Sequence, residues 1–332
     1  MSFQLLSKHR SRLMGFAMLW VVFFHLVVKD FGTLFWFVHR IGFYGVDIFL
    51  LVSGIGLYCS LHKNPAVLPF YGRRALRLLP AFLIVSALWY AFHPVSPKQF
   101  FLSVSTLGFW LGQSYLEWFI PTLALLYLLA PWYYRLFVRV EAKVGLTLAG
   151  AAVSLLLCIA AQHFDRLDLY GSIVRIPVFL LGFLFGHWIS SDTPYRGHYG
   201  LSVLSLFGIG LIAAFYVNRD LTGEAVQAGL NCYPALLLAP TLCLLLSGFF
   251  ERICARWSLA GRILLAPLDF AGRYSLEIYL LHERLALHFD GVYNQKTILL
   301  MTIVLAVLLH EAIRLCIVLI RKLASRPARA RP

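Results

Sequence analysis

Charge is what this sequence has least of. Only 13% of its 332 residues are Asp, Glu, Lys or Arg, against 60% hydrophobic residues, which is about half the charged share of a soluble domain. A solvated surface cannot be built from that composition. With a mean hydropathy of +0.78, soluble globular, disordered and secreted disulfide-scaffold classes are excluded. Cysteine is sparse too: six residues, none in a C-x-x-C pair and most inside apolar runs, where the side chain behaves as a small hydrophobe. Neither disulfides nor a metal site are expected. No small-residue cleavage site follows the first apolar run, so that run is read as a retained span rather than a signal peptide.

What the chain has instead is long apolar stretches bounded by charges, Pro or Gly. They place candidate spans near 13–29, 42–61, 75–93, 118–137, 144–162, 171–190, 200–217, 230–250, 271–287 and 297–320, at roughly 20 residues each. The expected fold is all-α: a polytopic membrane protein of about ten transmembrane helices, one domain over 1–332 with a basic tail at 321–332. The segment 97–116, apolar but rich in Ser, Gly and aromatics, is read as interfacial or re-entrant, and 251–270 as a loop with one amphipathic turn.

The basic excess, 29 Lys+Arg against 15 Asp+Glu for a net +14, would suggest nucleic acid in a soluble protein. Here it follows the positive-inside rule. Placing the N-terminus inside collects most of the basic residues on the inner segments, so both termini are expected in the cytoplasm. The partner this charge implies is the lipid bilayer, not nucleic acid.

Ionisable residues inside spans are costly and therefore candidate functional groups. His25 lies in the first span, about 20 Å from the inner boundary marked by Arg12 at ~1.5 Å per residue. Asp47 sits at similar depth on the second, antiparallel span, so an imidazole oriented by a carboxylate is one reading. The plainer alternative is a histidine bonded to a helix carbonyl. Arg175, near the outer end of the sixth span, is placed to neutralise Asp47 or to stabilise an oxyanion. Glu277 and His282 climb the ninth span. At the inner face, Arg73, Arg74 and Arg77 open the third span as a phosphate clamp or as ordinary headgroup contacts. His25 and Asp30 have H-x4-D spacing, yet five residues on a helix separate two side chains by ~140°.

Taken in order, these segments resemble the type-3 membrane acyltransferase family. FAMLWVVFFH resembles its first-helix segment ending in the catalytic histidine, here His25. GVDIFLLVSGIG, with Asp47, Ser53 and Gly54, resembles its second helix, and RRALRLLP the entrance to its third. WFIPTLALLYLLAP, RIPVFLLG and YSLEIYLLH follow in the family's order. One position departs: Met14 stands where the family usually has an arginine, and Arg12 faces about 200° away from it. Arg10 shares that face one turn lower, where its side chain is expected to point into the cytoplasm.

The resemblance implies transfer of an acyl group, most often acetyl, from acetyl-CoA to a hydroxyl of an envelope carbohydrate or lipid-linked glycan, in a bacterial inner membrane. It implies His25 and Asp47 in catalysis and the donor phosphates at Arg73, Arg74 and Arg77. Arg175, Glu277, His282 and Ser53 are then candidate substrate contacts. A second route would acylate His25 first. The alternative class is an exporter using His25, Asp47 and Arg175 as a substrate or proton site.

Overall fold

The computed structural model describes residues 2–27, 32–113, 118–193, 199–220, 229–289 and 292–324. Among these the secondary structure is entirely helical. The helices are α1 (Gln4–Lys8), α2 (Arg10–His25), α3 (Thr33–Arg40), α4 (Gly45–Lys63), α5 (Val67–Phe92), α6 (Pro97–Val104), α7 (Leu107–Trp110) and α8 (Phe119–Arg139). They continue with α9 (Lys143–His163), α10 (Tyr170–Ile173), α11 (Ile176–Ser190), α12 (Tyr199–Asp220), α13 (Ala235–Arg273), α14 (Ser275–His288) and α15 (Gln295–Ala324).

Every expected span coincides with a helix, but they are not equally long or apolar. Seven helical stretches among the described residues suffice to cross a membrane: Thr33–Lys63, Val67–Phe92, Lys143–His163, Leu167–Ser190, Tyr199–Arg219, Leu230–Arg273 and Gln295–Lys322. The other expected spans fall on α2 (16 residues) and α14 (14 residues), which are short, and on α8. Helix α8 has the length, but its Pro131-Trp132-Tyr133-Tyr134-Arg135 stretch dilutes its hydropathy. The 97–116 segment forms two short helices, α6 and α7, with 114–117 outside the described residues.

One expectation is corrected. The stretch 251–270 is not a loop: α13 runs through it with a kink at Trp257 and Ser258, where Ser258 takes φ 28°. Tertiary contacts hold the returning limb. Gly261 lies so close to the preceding limb that a Cβ there would be 2.7 Å from the Ile253 carbonyl oxygen. The Arg12 guanidinium reaches both limbs, donating to Asp269 at 3.1 Å and to the Cys254 sulfur at 3.1 Å. Of the expected basic tail at 321–332, residues 321–324 form the end of α15 and 325–332 lie outside the described residues.

The chain divides into two compact units. The first comprises residues 1–74 and 96–273, the second residues 75–95 and 274–332. In the first, α4 is the central helix, packed by α2, α8, α11 and α13. Its most apolar window is 89% buried, against 6% for α15 of the second unit, so α15 shows its aliphatic side chains to lipid. Apolar side chains gain nothing by leaving lipid for one another, so membrane helices associate by close backbone approach at small residues. That is how α4 is held. A Cβ on Gly54 would lie 2.4 Å from the Phe179 carbonyl oxygen of α11, and one on Gly182 2.4 Å from that of Leu51. Gly15 of α2 and Gly272 of α13 make an equivalent contact, each 1.9 Å from a facing carbonyl oxygen once a Cβ is added.

Candidate active site

His25 is the last residue of α2; Leu26 already has extended backbone angles. The helix stops short of the expected limit at 29, with 28 and 29 outside the described residues, and the imidazole is exposed rather than embedded in an apolar wall. Its Nδ1 lies 2.9 Å from the Val21 carbonyl oxygen, one turn back on the same helix. A carbonyl only accepts, so Nδ1 carries the proton, and in the neutral ring Nε2 keeps the lone pair. The ring meets Phe24 edge-on at 5.0 Å, and Phe24 meets Phe43 at 5.7 Å. Asp30, the distal member of the H-x4-D pair, lies outside the described residues.

Of the two partners read for Asp47, His25 and Arg175, the structure brings it to Arg175. Asp47 is fully buried in the first turn of α4, where the helix dipole favours an anion. Its Oδ2 accepts from Nε of the equally buried Arg175 at 3.4 Å. The same guanidinium donates to the Gly171 carbonyl at 2.9 Å and lies over the Trp118 ring at 4.6 Å and the Phe43 ring at 5.9 Å. A planar, weakly hydrated cation suits such a cage. Asp47 Oδ1 has no hydrogen-bond partner among the described residues. Asp47 thus answers Arg175, and Phe43 is the layer between that pair and the Phe24–His25 rings. Beside it, the Tyr44 hydroxyl donates to the Asn231 carbonyl at 2.6 Å and accepts from Asn218 at 3.2 Å.

Ser53 is half-buried on α4 next to Gly54. In the S-G pair it is the glycine whose role the geometry makes plain, as the contact with Gly182. The three entrance arginines do not act alike. Arg73 and Arg77 are exposed and one turn apart on α5, whereas Arg74 sits over Phe70 at 5.4 Å and Tyr127 at 5.9 Å. Arg10 does not extend away from the helices. Its guanidinium occupies the notch left by Gly56 on α4, where a Cβ would be 3.1 Å from Cζ. The glycine makes the room that turns the side chain inward.

In the second unit, Glu277 is buried in the first turn of α14 and its Oε1 lies 3.0 Å from His310 Nδ1 on α15. Tyr274 meets the His310 ring edge-on at 5.0 Å and donates to Glu311 at 3.2 Å. His282 is buried, with Nδ1 2.7 Å from the Tyr279 carbonyl. The sequence reading missed His310, although a histidine followed by Glu311 within the last apolar run is the same signal that singled out His25. It missed the Trp118 and Phe43 faces because nothing local marks an aromatic as the lid of a cation.

The segments that define these positions also define a family. A sequence model described as an acyltransferase domain (acyltransferase 3) matches residues 13–313. The chain belongs to the type-3 acyltransferase family. The match runs from α2 well into α15 and so includes both compact units. No curated protein and no solved structure matches the chain. Family membership together with the long apolar helices makes this a multi-pass membrane acyltransferase.

Proposed function

We propose that this acyltransferase moves an acyl group, acetyl first among them, from acyl-CoA on the cytoplasmic side to a hydroxyl of a bacterial envelope carbohydrate at the inner membrane, with His25 as general base. The observation that carries this reading is the place of His25 at the exposed end of α2, with Nδ1 2.9 Å from the Val21 carbonyl oxygen. A proton on Nδ1 for that bond makes Nε2 the basic nitrogen of the neutral ring. There Nε2 removes the proton of the acceptor hydroxyl as the oxygen attacks the thioester carbonyl carbon. The carbon–sulfur bond breaks, the thiolate leaves and is protonated, and an ester remains. The imidazolium formed in between sits at a helix C-terminus, whose dipole favours positive charge. General-base assistance of this kind is worth ~10²–10⁴-fold.

The arginines divide the remaining work. Arg73 and Arg77, exposed on one helix face, suit the donor phosphates, and Arg74 packs on aromatic rings beside them. Arg175, pinned by Asp47, Gly171 and Trp118, holds the start of α11 against α4. That supports a positioning role rather than one at the oxyanion, and it gives Asp47 the same role.

The test is transfer from labelled acetyl-CoA to isolated envelope polysaccharide by the purified protein. His25→Ala should lose at least about 100-fold in turnover with its thermal unfolding unchanged. Undiminished transfer would overturn the assignment, and solute flux without transfer would return the exporter. Arg73→Gln with Arg77→Gln should raise the donor KM and leave kcat in place; an unchanged KM would return both arginines to lipid headgroups.

A further inference from the structure

The imidazole of His25 stands on the last residue of a helix, a poor place to hold a base still. The final turn of a helix has carbonyls without intrahelical partners, and it frays. A general base, by contrast, must keep its place to within about 0.5 Å. The bond from His25 Nδ1 to Val21 lies inside α2, so it moves with that turn and does not anchor it.

The anchors come from the next helix. Not one residue of α3 is buried, so α3 adds little to a core, yet hydrogen bonds and ring contacts tie it to the end of α2. His39 Nε2 donates to the carbonyl of Leu26, the residue after His25, at 2.9 Å. The His39 ring meets Phe23 edge-on at 5.0 Å and lies 6.2 Å from Phe24, whose own ring meets the His25 imidazole. Further back on α2, Trp20 Nε1 donates to the Val38 carbonyl at 2.9 Å, and Phe35 meets Phe23 at 5.1 Å. Helix α3 is itself fixed elsewhere. Phe37 meets Phe215 of α12 at 5.4 Å, and a Cβ on Gly42, just past α3, would lie 2.7 Å from the Trp20 carbonyl oxygen.

We propose that α3 is a strap on the end of α2 and that His39 is its positioning residue. By donating to Leu26 and packing on Phe23 and Phe24, His39 fixes where the His25 imidazole stands. The inference rests on His25 being the general base. His39 touches no reacting atom, so its effect falls on the chemical step and not on acetyl-CoA binding. Misplacing a catalytic group by about 1 Å can cost ~10²-fold.

A glutamine at position 39 still carries an N–H donor at its tip, whereas a leucine supplies bulk without one. In the full-length protein, His39→Leu should lower kcat about 10- to 100-fold, and His39→Gln should recover most of the loss. The acetyl-CoA KM should stay within about twofold in both variants. The strap can also be read without turnover. Hydrogen exchange at the Phe24, His25 and Leu26 amides should quicken at least about tenfold in His39→Leu, stay near the parent in His39→Gln, and leave α4 unchanged. Undiminished kcat in His39→Leu would overturn the proposal, as would parental exchange there or a loss that glutamine does not recover. Transfer by His25→Ala would overturn the base, and with it the positioning role, while the exchange difference remained. An inactive His25→Ala beside a fully active His39→Leu would overturn the strap alone. If His39→Leu fails to fold, Trp20→Phe, which takes away the donor to Val38, should move kcat and exchange in the same directions. Parental values for both would then overturn the proposal.

Discussion

Asp47 and Glu277 occupy equivalent places in different units: each is a buried carboxylate, three residues into a helix, in the turn where the dipole welcomes negative charge. Their partners differ in kind. Asp47 faces Arg175, whose guanidinium stays charged at any physiological pH. Glu277 faces an imidazole instead, His310 on α15, whose Nδ1 is 3.0 Å away. The first pair is a fixed charge clamp between α4 and α11, caged by Trp118 and Phe43. The second is a single carboxylate–imidazole contact between α14 and α15, with the Tyr274 ring edge-on to His310. Buried carboxylates of similar position thus serve different ends, and the partner decides which.

The contrast breaks most visibly at Asp47. Asp47→Ala leaves the Arg175 charge buried without its anion and should cost ~3–5 kcal/mol, read as a fall in thermal unfolding temperature in detergent. Adding Arg175→Met should recover most of that loss, because two apolar groups tolerate one another. A single variant that melts with the parent would show that the pair does not clamp the helices. The next largest effect belongs to the contact that brings the pair together. Gly54→Ala pushes a Cβ into the Phe179 carbonyl and should cost ~1–3 kcal/mol; unfolding unaffected by the methyl group would mean that α4 and α11 are not locked there.

Glu277→Gln should cost only ~1–2 kcal/mol, since the amide oxygen still offers His310 Nδ1 an acceptor. A loss as large as that of Asp47→Ala would make the two pairs alike. The smallest effect sharpens the comparison at the membrane edge. His9 accepts from Arg12 through Nδ1 at 3.1 Å and donates through Nε2 to Glu251 at 2.8 Å. Both roles fit a neutral ring. Burial, aided by the Arg12 charge, holds its pKa below the ordinary value of about 6.5 despite Glu251. The unfolded chain therefore binds the extra proton first. Stability from this site is complete above that ordinary value and declines as pH falls through the window beneath it. Unfolding temperature followed from pH 7.5 downward should show the decline, and His9→Gln should flatten it.

Much of this was readable in advance, residue by residue. Apolar runs located every long helix because a lipid-exposed or buried span needs continuous hydrophobicity. The 251–270 stretch escaped because Arg252, Arg256, Arg262 and Asp269 interrupt its apolar pattern; its helix is held by the kink, Gly261 and Arg12. Asp47 and Arg175 were legible as neighbours, whereas His25, expected inside an apolar wall, stands exposed at the end of α2. The expected bond from Asp47 to His25 came from depth alone, and depth does not choose among neighbouring helices. Arg10 was read as pointing away because its own helix suggests so; the notch that receives it belongs to Gly56 on another.

Composition and pattern by themselves determined that this is a multi-pass membrane protein and where its apolar helices run, because a membrane span needs continuous hydrophobicity over about 20 residues at ~1.5 Å each. Only the tertiary structure decided which charge meets which. That choice depends on the rotation and closeness of the helices, set where Gly15, Gly54, Gly182 and Gly272 let backbones touch.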